Sequence, residues 1–131
     1  MAKMRAKDQP VRKISWDYFH NMVYLLSDVM RKESSGIMGI PRGGVIVATC
    51  LCHISDNHIY IHDNISNIDN YTVKPILIDD IVDSGATITN YHKRFKTASL
   101  FYRESSKIKP DFYAEKIDDG TWIQFPWEIF S

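Results

Sequence analysis

The chain has 131 residues, of which 44% are hydrophobic and 24% charged. That length fits one domain with one core, and the composition is that of a globular chain rather than a disordered one. Its 16 basic and 16 acidic side chains cancel, so the overall charge points neither to nucleic acid nor to an anionic membrane, and any grip on a phosphate must be local.

Residues 1–12 form a basic, polar lead-in without the apolar stretch of a signal peptide, and they are expected to lack order. No apolar run reaches the length of a membrane span, and the expected location is the cytoplasm. Ser15 is placed to cap a helix, after which Phe19, Met22, Val23, Leu26, Val29 and Met30 recur at helical spacing. That helix should end near Ser34-Ser35-Gly36. Gly36 to Ile40 is a short apolar run between breakers and predicts a buried strand. Pro41 to Gly44 reads as a loop and Val45 to Cys52 as a helix. Cys50 and Cys52 are badly spaced to pair with each other and read as buried free thiols, in keeping with a reducing compartment.

Asn57 to Ile61 predicts a strand. His58 and His62 flank Tyr60 on it; with no third ligand near, they read as surface positions rather than a metal pair. His62 to Thr72 is polar and predicts a loop. Ile76 to Asp79 predicts a strand, Thr87 to Lys96 a helix, and Ala98 to Tyr102 the next strand. Phe112 to Ile117 and Thr121 to Ile123 predict short strands. Alternating strands and helices imply an α/β fold: an open, mostly parallel twisted sheet with helices on both faces, formed by residues 1–131 as a single domain. In such sheets ligands bind beyond the carboxyl ends of the strands, where Pro41 to Gly44 and Asp80 to Thr87 should share one edge.

The segment Ile76-Leu77-Ile78-Asp79-Asp80-Ile81-Val82-Asp83-Ser84-Gly85-Ala86-Thr87 carries the chemistry. Two acids sit where an apolar strand leaves the sheet. They can accept hydrogen bonds from two ribose hydroxyls or hold Mg²⁺. A turn of small residues follows, at the start of a predicted helix, where unpaired N–H groups favour an anion. Gly85 allows close approach of a phosphate, and Ser84 and Thr87 add hydroxyls. An acidic strand end followed by a threonine cap accounts for one acid, not for three acids and a small-residue turn.

This segment resembles the phosphoribosyl-pyrophosphate (PRPP) motif of the type I phosphoribosyltransferases. Gly39-Ile40-Pro41-Arg42-Gly43-Gly44 is similar to the family's pyrophosphate loop, which often holds a cis peptide. The tail Thr121-Trp122-Ile123-Gln124-Phe125-Pro126-Trp127-Glu128 resembles the C-terminal signature of the 6-oxopurine branch. Ser99 to Arg103 resembles a strand that ends there in a base-contacting lysine. The likeness runs from Ile14 to Glu128.

The resemblance implies a Mg²⁺-dependent enzyme that transfers 5-phosphoribosyl from PRPP to hypoxanthine, guanine or xanthine in purine salvage. Asp79 and Asp80 would hold the ribose and the metal, and Ser84, Gly85, Ala86 and Thr87 the 5′-phosphate. Arg42, Gly43 and Gly44 would hold the leaving pyrophosphate, and Asp83 would be the general base. In the small C-terminal base-binding part, Trp122 would stack on the purine and Ile123 would read its edge through the backbone. Arg103 would donate to the base; the alternative is a solvated arginine at a strand end. Phe125 and Trp127 are expected in the core. His62 to Thr72 would be a shortened flexible loop over the substrates, which predicts a site open to water. Expected partners are PRPP and a purine, in a homodimer or homotetramer, without nucleic acid or membrane. The competing reading is a PRPP- or nucleotide-binding regulatory module with weak or no catalysis.

Overall fold

The computed structural model describes residues 5–129. Strand β1 is Val11–Lys13 and helix α1 Trp16–Val29. Ser15 caps α1, its Oγ accepting from the Tyr18 N–H at 3.0 Å. Phe19, Met22, Val23 and Leu26 form the buried stripe of α1. The helix ends at Val29, ahead of the expected stop at Ser34-Ser35-Gly36, and Met30, which leaves helical geometry, keeps its side chain fully buried.

The rest of the fold is built from β2 (Ile37–Gly39), α2 (Gly43–Ile54), β3 (Ile76–Val82), β4 (Thr97–Arg103), β5 (Phe112–Ile117) and β6 (Trp122–Gln124). A four-stranded sheet runs in the order β2-β3-β4-β5, and every pair is parallel. β1 and β6 form a separate parallel ribbon. Both α-helices lie on one face, where Phe19, Leu26, Val47 and Leu51 meet Ile37, Ile78 and Leu100. The other face carries Met38, Leu77, Val82 and Tyr102, covered by short 3₁₀ turns through Ile68 and Ile88 and by Phe95. Among the described residues, no helix is long and apolar enough to cross a membrane.

Four local expectations change. The polar lead-in is ordered at its end: β1 pairs with β6, and Arg12 holds Glu115 at 2.6 Å. Residues 57–61 make one bridge, Tyr60 to Ile37, rather than a strand, and His58 is buried with Nδ1 3.3 Å from the Ser35 carbonyl. Residues 62–72 are folded. Asp63 accepts from Asn67 and from the Tyr71 hydroxyl, and Ile68 is buried against the sheet. The helix expected over 87–96 is a single 3₁₀ turn, Ile88–Asn90, followed by irregular turns. Its carbonyls at Ile88 and Tyr91 each accept two N–H donors. Thr89 and Asn90 are weak helix formers, and so short a segment cannot offset the cost of nucleation. Burial of Ile88 and Phe95 sets its path instead.

Cys50 and Cys52 are free, half-buried thiols on α2, both pushed up in pKa by burial.

Candidate active site

The parallel sheet sends β2, β3 and β4 out at the same edge, so the loop after β2, the acids of β3 and Arg103 of β4 meet there. The junction is built on glycine. A Cβ on Gly43 would stand 2.0 Å from Asp80 Oδ2, and one on Gly44 would stand 2.2 Å from the Ile78 carbonyl oxygen. Only residues without a side chain let the first turn of α2 lie directly on the end of β3. The Pro41–Arg42 peptide is cis, and both residues are exposed.

Asp79 is buried and Asp80 partly so. The Asp80 N–H donates to Asp79 Oδ1 at 2.9 Å, and the Ile81 N–H to Asp80 Oδ1 at 2.8 Å. Burial, and then the neighbouring Asp80 charge, raise the Asp79 carboxyl well above the usual range. Asp80 is also raised, chiefly by burial. A buried acid pair of this kind favours a cation or hydroxyl donors. The oxygen donors suit Mg²⁺. Among the described residues no cluster of three His, Cys, Asp or Glu side chains could hold a metal, so substrate oxygens would have to complete the coordination.

After β3 the chain turns through Ser84 to Thr87. Gly85 has φ +87°, a conformation that other L-residues rarely adopt, and its missing side chain faces Ser106 Oγ. Ser84 Oγ accepts from the Ala86 N–H at 3.2 Å. Ser84, Ala86 and Thr87 are exposed, as a ligand loop requires. The following helix is a single turn, too short to carry a useful macrodipole; the loop offers backbone and hydroxyl donors.

Arg103 is 8% exposed, which excludes a solvated strand end. Its Nε donates to Asp83 Oδ1 at 2.6 Å, Nη1 to the Asp119 carbonyl at 2.6 Å and Nη2 to the Thr121 carbonyl at 2.7 Å. Trp122 follows at once. Its ring is half-buried, and its Nε1 is buried without a hydrogen-bond partner among the described residues. The Trp122 N–H donates to the Pro10 carbonyl and the Ile14 N–H to the Gln124 carbonyl. Alternation along a parallel ladder then turns the N–H and C=O of Ile123 away from β1. Its side chain is buried in the core. Phe125 and Trp127 stack at 4.8 Å and pack with Phe19, as core residues.

Glu128 was not singled out by sequence. Its carboxyl is raised by burial, against the Phe125 N–H bond; the Asp80 charge adds to the rise and Arg42 opposes it. The Glu128 carboxyl therefore lies within the field of Asp80 and Arg42. No motif position signals this, because the approach is made by the fold.

No family model matches the chain. The xanthine-guanine phosphoribosyltransferase of Desulfotalea psychrophila is 28% identical over 140 residues, covering 90% of this chain and 86% of that protein. The enzyme of the same name from Chromohalobacter salexigens is 25% identical, covering 88% and 83%. A xanthine-guanine-hypoxanthine phosphoribosyltransferase from Helicobacter pylori superposes with a TM-score of 0.69 at 25% identity, over 90% of this chain and 93% of that one. The chain is similar to purine phosphoribosyltransferases in sequence and in fold.

A purine phosphoribosyltransferase from Pyrococcus horikoshii shares the fold, with a TM-score of 0.72 at 24% identity over 92% of this chain and 95% of that one. The resemblance to the 6-oxopurine branch of the type I phosphoribosyltransferases thus holds in sequence and in fold, and with it the transferase class.

Proposed function

We propose that this chain transfers the 5-phosphoribosyl group of PRPP to a 6-oxopurine, releasing pyrophosphate, in purine salvage. The observation that carries the reading is the glycine junction, which brings the Arg42-Gly43-Gly44 loop against Asp80 at the edge that also holds Asp83 and the phosphate loop. Asp79 and Asp80 hold the ribose hydroxyls. Gly85, Ala86, Ser84 and Thr87 bind the 5′-phosphate. The first N–H groups of α2 have no partner within the helix, so Gly43 and Gly44 can donate to the diphosphate beside the Arg42 guanidinium. Mg²⁺, held through Asp79 and Asp80, would neutralise charge on the diphosphate.

A purine ring nitrogen forms the new bond to the anomeric carbon, and the C–O bond to pyrophosphate breaks, its electron pair leaving with the pyrophosphate. Asp83 takes the proton that the purine loses. Trp122 stacks on the base, a contact worth about 1–3 kcal/mol by analogy with base–aromatic stacking, and the turned-out backbone of Ile123 reads its edge. The assembly is a homodimer or homotetramer, for which exposed Tyr24, Leu25 and Val29 of α1 offer apolar surface. The test is pyrophosphate release from PRPP and Mg²⁺ with hypoxanthine, guanine, xanthine or adenine, beside a control without base. Release that needs a 6-oxopurine and matches nucleotide formation is expected. PRPP binding without base-dependent release would replace this reading with that of a regulatory module.

A further inference from the structure

Family resemblance gives position 103 to a lysine that contacts the base, but the arginine here is committed elsewhere. Three of its five N–H groups are taken, by Asp83 and by the carbonyls of Asp119 and Thr121, at 2.6–2.7 Å. The side chain is 10% exposed and that of Asp83 is 19% exposed, so the pair is largely shielded from water. A guanidinium fork suits this task, because it presents several donors in one rigid plane. Removing it would leave a carboxylate and two carbonyls without these bonds.

The groups it joins belong to different parts of the site. Asp83 follows β3, beside the acid pair and the phosphate loop. The Thr121 carbonyl immediately precedes Trp122, in the strand that carries the base-stacking ring. We propose that Arg103 is a positioning residue that ties Asp83 to the Asp119–Thr121 turn, fixing the proton acceptor relative to the stacking ring, and is not a donor to the purine. This rests on the transferase reading above.

Lysine separates the two roles. An ammonium can reach a purine oxygen as well as a guanidinium can, but it cannot hold three acceptors in one plane. The experiment compares kcat, purine KM and PRPP KM for the wild type, Arg103→Lys and Arg103→Gln. Both variants should lower kcat about tenfold or more and raise the purine KM, with the PRPP KM within about twofold of wild type. Wild-type kinetics in Arg103→Lys would overturn the proposal, as would a rise in both KM values together.

A second measurement uses the wild type alone and survives a variant that fails to fold. Side-chain ¹⁵N spectra should show Arg103 Nη resonances that are separately resolved, by restricted rotation, and that stay in place when hypoxanthine is added. Averaged resonances would overturn the clamp, and resonances that move with the base would restore the donor role. A wild type that transfers to no base overturns the transferase reading instead, and the resolved or averaged Nη signals still decide whether the clamp exists.

Discussion

Asp79 shows at the scale of one residue how a site is held against stability. Burial beside Asp80 raises its carboxyl, so the native state binds that proton more tightly than the unfolded chain does. Stability from this group is then complete below the unfolded value, at about pH 4, and falls as pH rises from there through the folded value. Asp79→Asn keeps an oxygen to accept the Asp80 N–H and removes the ionisation. It should raise Tm at neutral pH by several degrees, with the gain vanishing near pH 4, while transfer activity is lost. A Tm difference that does not vary with pH would show that the carboxyl is not destabilising the fold. Such a balance is common where groups are placed for chemistry rather than stability. The two acids are legible in the sequence because they stand where an apolar strand ends. The path of Arg103 is not, since two of its three acceptors are backbone carbonyls, which carry no residue signature.

Among the elements, α2 decides the geometry. Gly43 and Gly44 read as loop because glycine disfavours helices, yet they form its first turn. The contact with β3 requires them, since a Cβ on Gly43 would stand 2.0 Å from Asp80 Oδ2. Gly43→Ala should therefore destabilise the protein by about 1–3 kcal/mol, as overpacking does, and weaken PRPP binding. In an Asp80→Ala background the same change should cost much less, because the clashing atoms are gone. Denaturant unfolding of the four proteins measures this coupling, and additive effects would dissolve the proposed contact. The segment from Ile88 to Phe95 teaches the converse. Its apolar spacing predicts a helix, but its hydrogen bonds are irregular and its course follows the burial of Ile88 and Phe95. Periodicity identified the buried side chains there and misjudged the backbone that carries them.

Across the whole molecule, residues 11–13 and 122–124 meet. β1 pairs with β6, Pro10 accepts from the Trp122 N–H at 2.7 Å, and Arg12 and Tyr18 both reach Glu115 of β5. A chain beginning at Ile14 should keep PRPP binding, lose thermal stability, and show a purine KM raised more than its PRPP KM. Calorimetry and steady-state kinetics check this. An unchanged purine KM would mean that β6 holds its place without β1. The sequence by itself determined the parallel α/β class, the stripe of α1, the acid pair and the small-residue turn, because each is written in local periodicity or in adjacent residue types. Only the tertiary structure decided that a strand forms at the end of the lead-in, at Val11–Lys13, that residues 62–72 fold onto the sheet through Ile68, and that Arg103 faces Asp83 and a turn. Those outcomes depend on contacts between residues far apart in the chain, and local patterns do not encode which distant surfaces will meet.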